Sequence, residues 1–136
     1  GAHGGITGAP DEKTLGAVIA DRCPAATNLA GATTFGQTAG LVATADVLVC
    51  NDSGPLHLAA AYGTSSVTLF GPTVASKWHP PGAQHRMIQK TGFCEGCVGW
   101  HPAARCRHDG ACMKAIGVDE VETMIMQVMQ QEGTRS

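Results

Sequence analysis

An apolar run, Val47-Leu48-Val49-Cys50, stops at Asn51-Asp52-Ser53-Gly54 and gives way to the alanine-rich segment Pro55 to Tyr62. The chain then breaks at Gly63 and returns to an apolar run, Ser66 to Phe70, before Gly71-Pro72. Read as strand, loop, helix and strand, this block constrains the fold more than any other part of the chain. Two buried strands joined through a single short helix lie parallel, connected by a right-handed crossover. The expected class is therefore α/β, a parallel sheet flanked by helices.

The flanking segments are read in the same way. Asp11-Glu12 open a helix to Arg22 that carries Leu15, Val18 and Ile19 on one face, with the acidic pair opposing the helix dipole. Phe35, Leu41 and Val42 mark a second helix, and Arg86 to Gln89 a further short strand. Val118, Val121, Ile125 and Val128 recur at helical spacing behind Asp119-Glu120 and predict a final amphipathic helix over 118–131. The glycine-rich start, Gly1 to Pro10, reads as a loop, and Asn28-Leu29-Ala30-Gly31 as a connection.

Composition narrows the class of partner. At 136 residues the chain is expected to form one domain over 1–136, and its formal charge of −2 offers no field for a nucleic-acid backbone. The amino terminus lacks the basic flank and apolar core of a signal peptide, so a soluble, cytoplasmic protein is the expectation. Alanine and glycine are abundant and aromatic residues few, which suits close helix-on-sheet packing.

Both unusual loops follow strands. In an open parallel sheet, ligands lie at the carboxyl ends of strands, where loops and helix amino termini converge. Gly54 allows close backbone approach, Pro55 presets the first helical turn, and the amides at the helix start point toward negative charge, which favours a phosphate. Asp52 repels phosphate, so its chemistry is to accept hydrogen bonds from sugar hydroxyls or from a nearby amide. His57, within the first turn, can donate to a phosphate or hydroxyl. Each residue also has a purely structural reading: Asp52 or Ser53 as a helix cap, His57 as a buried and satisfied histidine, Gly71-Pro72-Thr73 as a turn.

Taken together, Asn51 to Ala61 followed by Leu69-Phe70-Gly71-Pro72-Thr73 closely resembles glycosyltransferase family nine, the lipopolysaccharide heptosyltransferases. Asn28 to Thr33, Trp78 with Pro80-Pro81-Gly82, the cysteine-rich stretch and the final helix resemble that family too. The resemblance implies the carboxyl-terminal half of a GT-B fold, a Rossmann-like domain that holds the nucleotide-sugar donor, an ADP-heptose-like molecule. By resemblance the donor-binding residues are Asp52, Ser53, Gly54, His57, Gly71 and Thr73. Asp52 would contact sugar hydroxyls, the amides of Ser53 and Gly54 the diphosphate, and His57 the donor pocket. The family's inverting reaction takes its acidic base from an amino-terminal acceptor domain, which is not found here, so no catalytic residue is assigned to this chain. The family's diphosphate-neutralising lysine has no clear counterpart either, because the chain is read as beginning after the domain's first strand. Placement at the inner face of a bacterial inner membrane, with membrane contact only through the intact enzyme, is likewise implied. A noncatalytic nucleotide-sugar binding module and another GT-B-type enzyme, such as a sugar-nucleotide epimerase, are the alternative readings.

The four clustered cysteines, Cys94, Cys97, Cys106 and Cys112, fall in a loop over about 92–113 and offer a soft ligand set for a structural zinc. Two disulfides, four reduced thiols or an iron–sulfur cluster fit the same residues, and His101 and His108 compete as ligands. No cofactor is implied for catalysis. Cys23 and Cys50 read as ordinary buried residues, and Met124, Met126 and Met129 as core fillers or as a docking face.

Overall fold

A computed structural model describes residues 2–92, 97, 106 and 108–133. The chain divides into two compact units, Gly1–Leu41 and Val42–Ser136.

The second unit is built on the block that dominates the sequence. Strands β3 (Val47–Asn51), β4 (Ser65–Phe70) and β5 (His85–Gln89) form a three-stranded parallel sheet in that order. The register runs from Val47 opposite Ser65 to Asn51 opposite Leu69, and from Ser66 opposite His85 to Phe70 opposite Gln89. Strand β4 is central and nearly all of it is buried, as a parallel strand covered on both faces must be. Its side chains alternate between the two covering layers. Phe70 packs with Leu56 and Ala75, with Cys50 against them. Val67 packs with Ile88 and Val128, joined by Leu69, Ile116, Val121, Met124 and Ile125.

Leu56 comes from α3 (Gly54–Tyr62), the helix of the β3–β4 crossover. It ends on Gly63, whose φ of 74° is the left-handed conformation a helix stop requires, and Thr64 N–H donates to Ala59 O at 2.9 Å. A short helix, α4 (Ala75–Trp78), lies in the β4–β5 connection. Helix α5 (Ala111–Lys114) leads into α6 (Val118–Gly133), the final helix of the sequence reading. Asp119 and Glu120 sit in the first turn of α6, and Glu120 pairs with Lys90 at 2.7 Å. The helical period is correct there, but Val118 is 81% exposed: the inward face starts at Val121 and passes through Met124 and Ile125 to Val128. Met126 and Met129 are exposed as well.

The first unit corrects two readings. The glycine-rich start is no plain loop, because β1 (Gly4–Ile6) pairs in parallel with β2 (Ala26–Asn28), from Gly4 opposite Ala26 to Ile6 opposite Asn28. A strand therefore does precede the first helix, and Asn28 closes a strand rather than opening a connection. Between these strands, a 3-10 turn (Pro10–Glu12) leads into α1 (Lys13–Arg22). Leu15, Val18 and Ile19 do share a face of α1, but they are 63%, 47% and 46% exposed. The buried face is the one carrying Gly16, where an added Cβ would lie 2.3 Å from Asn28 Oδ1. Asn28 holds that contact by donating from Nδ2 to Lys13 O at 3.0 Å and accepting at Oδ1 from Ala30 N–H at 3.1 Å.

Helix α2 (Phe35–Thr44) begins on a reciprocal cap. Thr34 N–H donates to Gln37 Oε1 at 2.8 Å and Gln37 N–H donates to Thr34 Oγ1 at 3.3 Å. Phe35 is exposed, whereas Ala39 and Val42 are buried. Among the described residues, no helix is long and apolar enough to cross a membrane.

Candidate functional site

Because β3, β4 and β5 are parallel, their carboxyl ends share one edge of the sheet. The register that sets Asn51 beside Leu69 makes the loops leaving β3 and β4 neighbours along that edge. These are the two loops singled out in the sequence.

In the first loop, Ser53 occupies the N-cap position of α3 in an extended conformation, φ −155° and ψ 172°, yet its side chain does not cap. Its Oγ donates instead to Asn51 O at 3.1 Å. Asp52 makes no hydrogen bond among the described residues, so the helix-cap reading fails for both side chains. Pro55 contributes no N–H, and Leu56 N–H turns back onto Ser53 O at 3.1 Å. The amides of Ser53 and Gly54 have no partner among the described residues. Ser53, Gly54 and His57 are exposed and Asp52 is half-buried. His57 is therefore not a core histidine, and the loop is open to solvent.

Cys50 lies behind this loop and is half-buried, not the fully buried residue expected. Burial pushes its thiol up to about 11, helped by the nearby charge of Asp52 and opposed by the Thr68 hydroxyl at 4.0 Å. At neutral pH it is a protonated, apolar floor to the loop rather than a nucleophile. Cys23, also expected to be buried, is exposed.

The second loop is held from two sides. Gly71 is buried, and a Cβ there would lie 2.7 Å from Met113 Sδ, 2.9 Å from Met113 Cγ and 3.8 Å from Cys112 Sγ. From the other side Gln89, the last residue of β5, donates from Nε2 to Thr73 O at 3.0 Å and to Gly71 O at 3.4 Å. Thr73 Oγ1 is buried with no partner among the described residues. Sequence reasoning did not single out Gln89 or Met113. The only available signal was a polar residue ending the β5 segment, and nothing in the sequence says that its amide reaches back to the neighbouring loop.

Two histidines of the second unit lie away from these loops, His79 after α4 and His85 at the amino end of β5, the edge opposite the candidate loops. The ring of His79, just after α4, meets Phe70 edge-on with centroids 6.1 Å apart. Burial lowers the pKa of His79, against a backbone hydrogen bond with Arg86 that raises it. His85 is buried with Nδ1 2.9 Å from Ser66 Oγ. Burial lowers its pKa too, and the like charge of His79 lowers it further. Groups with depressed folded pKa values bind fewer protons folded than unfolded. Their stabilising share is complete above the unfolded histidine value of about 6.5 and is lost as the pH falls through the folded values. Thermal melts between pH 7.5 and 5.5 are expected to show Tm falling with acidification, and His79→Gln, which takes no charge, to flatten the slope. A Tm that holds or rises on acidification would contradict this assignment.

Of the clustered cysteines, Cys94 lies outside the described residues, as does His101. Cys97 is half-buried. Cys106 is exposed and its Sγ accepts from Gly110 N–H at 3.2 Å, while Cys112 is buried beside Gly71. Among the described residues no three metal-ligating side chains gather.

Comparison with known proteins bears on the family and the fold. Residues 6–104 match the model of glycosyltransferase family 9 (heptosyltransferase). Lipopolysaccharide heptosyltransferase 3 of Escherichia coli is 39% identical over 79 residues, which are 55% of this chain and 23% of that protein. Lipooligosaccharide heptosyltransferase 2 of Campylobacter jejuni is 40% identical over 97 residues, 69% of this chain and 29% of the relative. The solved structure of E. coli ADP-heptose lps heptosyltransferase II superposes with a TM-score of 0.77 at 25% identity, covering 98% of this chain and 38% of that one. The chain thus spans less than a third of the length of these two curated relatives.

Proposed function

Because this chain belongs to glycosyltransferase family 9, the heptosyltransferases, we propose that it is the donor-binding, carboxyl-terminal half of a GT-B enzyme. That enzyme transfers a heptose or related sugar from a nucleotide diphosphate sugar such as ADP-heptose to a lipopolysaccharide-type acceptor, with inversion. The observation that carries the reading is the β3 loop: two exposed, unpartnered amides, Ser53 and Gly54, at the start of α3, beside an Asp52 carboxylate that makes no hydrogen bond among the described residues.

The chemistry divides between the two kinds of group. The amides and the positive end of α3 take the diphosphate, which carries the negative charge. Asp52, an acceptor only, takes sugar hydroxyls and so orients the ring whose anomeric carbon is attacked. His57, exposed one turn along α3, donates to a phosphate oxygen or a hydroxyl. The loop of Gly71 and Thr73 forms the adjoining wall. The base that deprotonates the acceptor belongs to the amino-terminal acceptor domain. Binding by this chain therefore outlasts transfer, because without a positioned base the proximity and proton-transfer contributions to the rate are lost.

Calorimetric titration with ADP and with ADP-heptose tests the division of labour. Hydrogen bonds to a charged group contribute about 1.5–3 kcal/mol, so Asp52→Asn is expected to weaken ADP-heptose roughly tenfold or more. ADP, which lacks the sugar, is expected to be nearly unaffected. Equal losses for both ligands would remove Asp52 from the sugar, and failure of the unaltered chain to bind either ligand would remove the site.

A further inference from the structure

The donor-site reading assigns the β4 loop a role but leaves open what fixes its shape. We propose that Gln89 is a positioning residue of this site: its carboxamide clamps the Gly71 and Thr73 carbonyls and so sets the conformation in which the β4 loop meets the nucleotide sugar. The proposal rests on the reading of the β3 and β4 loops as the donor site.

The register places Gln89 directly opposite Phe70, so its side chain leaves β5 where the neighbouring strand gives way to the loop. A carboxamide nitrogen has two N–H groups, and here it has two acceptors, Thr73 O at 3.0 Å and Gly71 O at 3.4 Å. Bridging residues 71 and 73 fixes both ends of the Gly71-Pro72-Thr73 turn. The base of the clamp is itself held, because the next residue, Lys90, pairs with Glu120 of α6 at 2.7 Å. On its far side the loop is closed by Met113 against Gly71. The arrangement spends a side chain's whole donor capacity on one loop at the ligand-bearing edge of the sheet.

Gln89→Glu keeps the size of the side chain but removes both N–H donors and sets a carboxylate against two carbonyl oxygens. Two measurements on the chain follow. Hydrogen exchange of the Gly71, Thr73 and Val74 amides reports the loop without any ligand, and it is expected to accelerate in the variant while exchange in β4 stays near that of the unaltered chain. Titration with ADP-heptose at pH 7.5 is expected to give a Kd roughly three- to tenfold higher, the range that follows from losing one or two neutral hydrogen bonds.

The ratio of variant to unaltered Kd is then expected to shrink as the pH is lowered to 5.5, because the introduced carboxyl group, once protonated, regains one O–H donor. A role confined to packing would leave that ratio constant. Unchanged loop exchange, or a Kd equal to that of the unaltered chain, overturns the clamp. Accelerated exchange in a chain whose unaltered form binds no ADP-heptose leaves the clamp in the fold but overturns its role at a donor site.

Discussion

Phe70→Ala is expected to lower the unfolding free energy by about 3–5 kcal/mol, the range for truncating a fully buried phenylalanine. Phe70 ends the central strand and is completely buried. It packs with Leu56 of α3 and Ala75 of α4, and His79 meets its ring edge-on. Both crossover connections of the second unit therefore close over this one side chain. Truncation removes the contact on which each of them rests and leaves a cavity beneath the two candidate loops. Domains of this size have about 5–15 kcal/mol of stability in total, so the variant is expected to be marginal at 25 °C, with Tm lowered by on the order of 10 °C or more. Denaturant melts would check it. A loss under about 1.5 kcal/mol, the range of volume-conserving swaps, would mean that the layer over β4 is not assembled as described. Phe70→Leu, which keeps most of the volume, should recover more than half of the loss.

How much of this was legible in the sequence depends on whether local pattern or distant pairing decides each element. Strands β3 and β4, helix α3 and its stop at Gly63 were legible because continuous apolar runs, a helical segment and a glycine break are local signals. The candidate loops followed from them, since any parallel sheet gathers its strand ends on one edge. Strands β1 and β2 were not legible. Each is three residues long, and Gly4-Gly5-Ile6 carries no alternation: only its partner Ala26-Thr27-Asn28 makes it a strand.

The faces of helices were legible in period but not always in direction. Leu15, Val18 and Ile19 have the spacing of a core face, yet α1 packs through Gly16, because a glycine allows the approach of Asn28 that a larger residue would block. Val118 has the right spacing on α6 but stands at its exposed start. At the site, Asp52, Ser53, Gly54 and His57 could be named because they are contiguous. Gln89 and Met113 could not, because each acts on Gly71 across the fold rather than along the chain.

Gly71→Val is expected to damage stability and ligand binding together, because the residue is at once a buried packing point and part of the β4 loop. Gly71 is not required for a left-handed backbone, since its φ is not among the positive values found in this chain. What it supplies is space. A single Cβ would already come within 2.7 Å of Met113 Sδ. That atom lies toward the end of a flexible, unbranched side chain, so Gly71→Ala is expected to be absorbed by a rotamer change of Met113 at a cost of about 1 kcal/mol. Valine adds two further methyl groups that one rotamer change cannot accommodate. Overpacking then costs about 1–3 kcal/mol and pushes the loop away from its contact with Gln89. Nucleotide-sugar affinity is expected to fall more in Gly71→Val than in Gly71→Ala, although neither introduced side chain carries a polar group. A double-mutant cycle separates crowding from any other cause. Met113→Ala vacates the space the valine needs, so the pair Gly71→Val with Met113→Ala should be more stable than the sum of the single effects by about 1 kcal/mol or more, and binding should partly return. Strict additivity in urea melts would show that Met113 is not what crowds position 71.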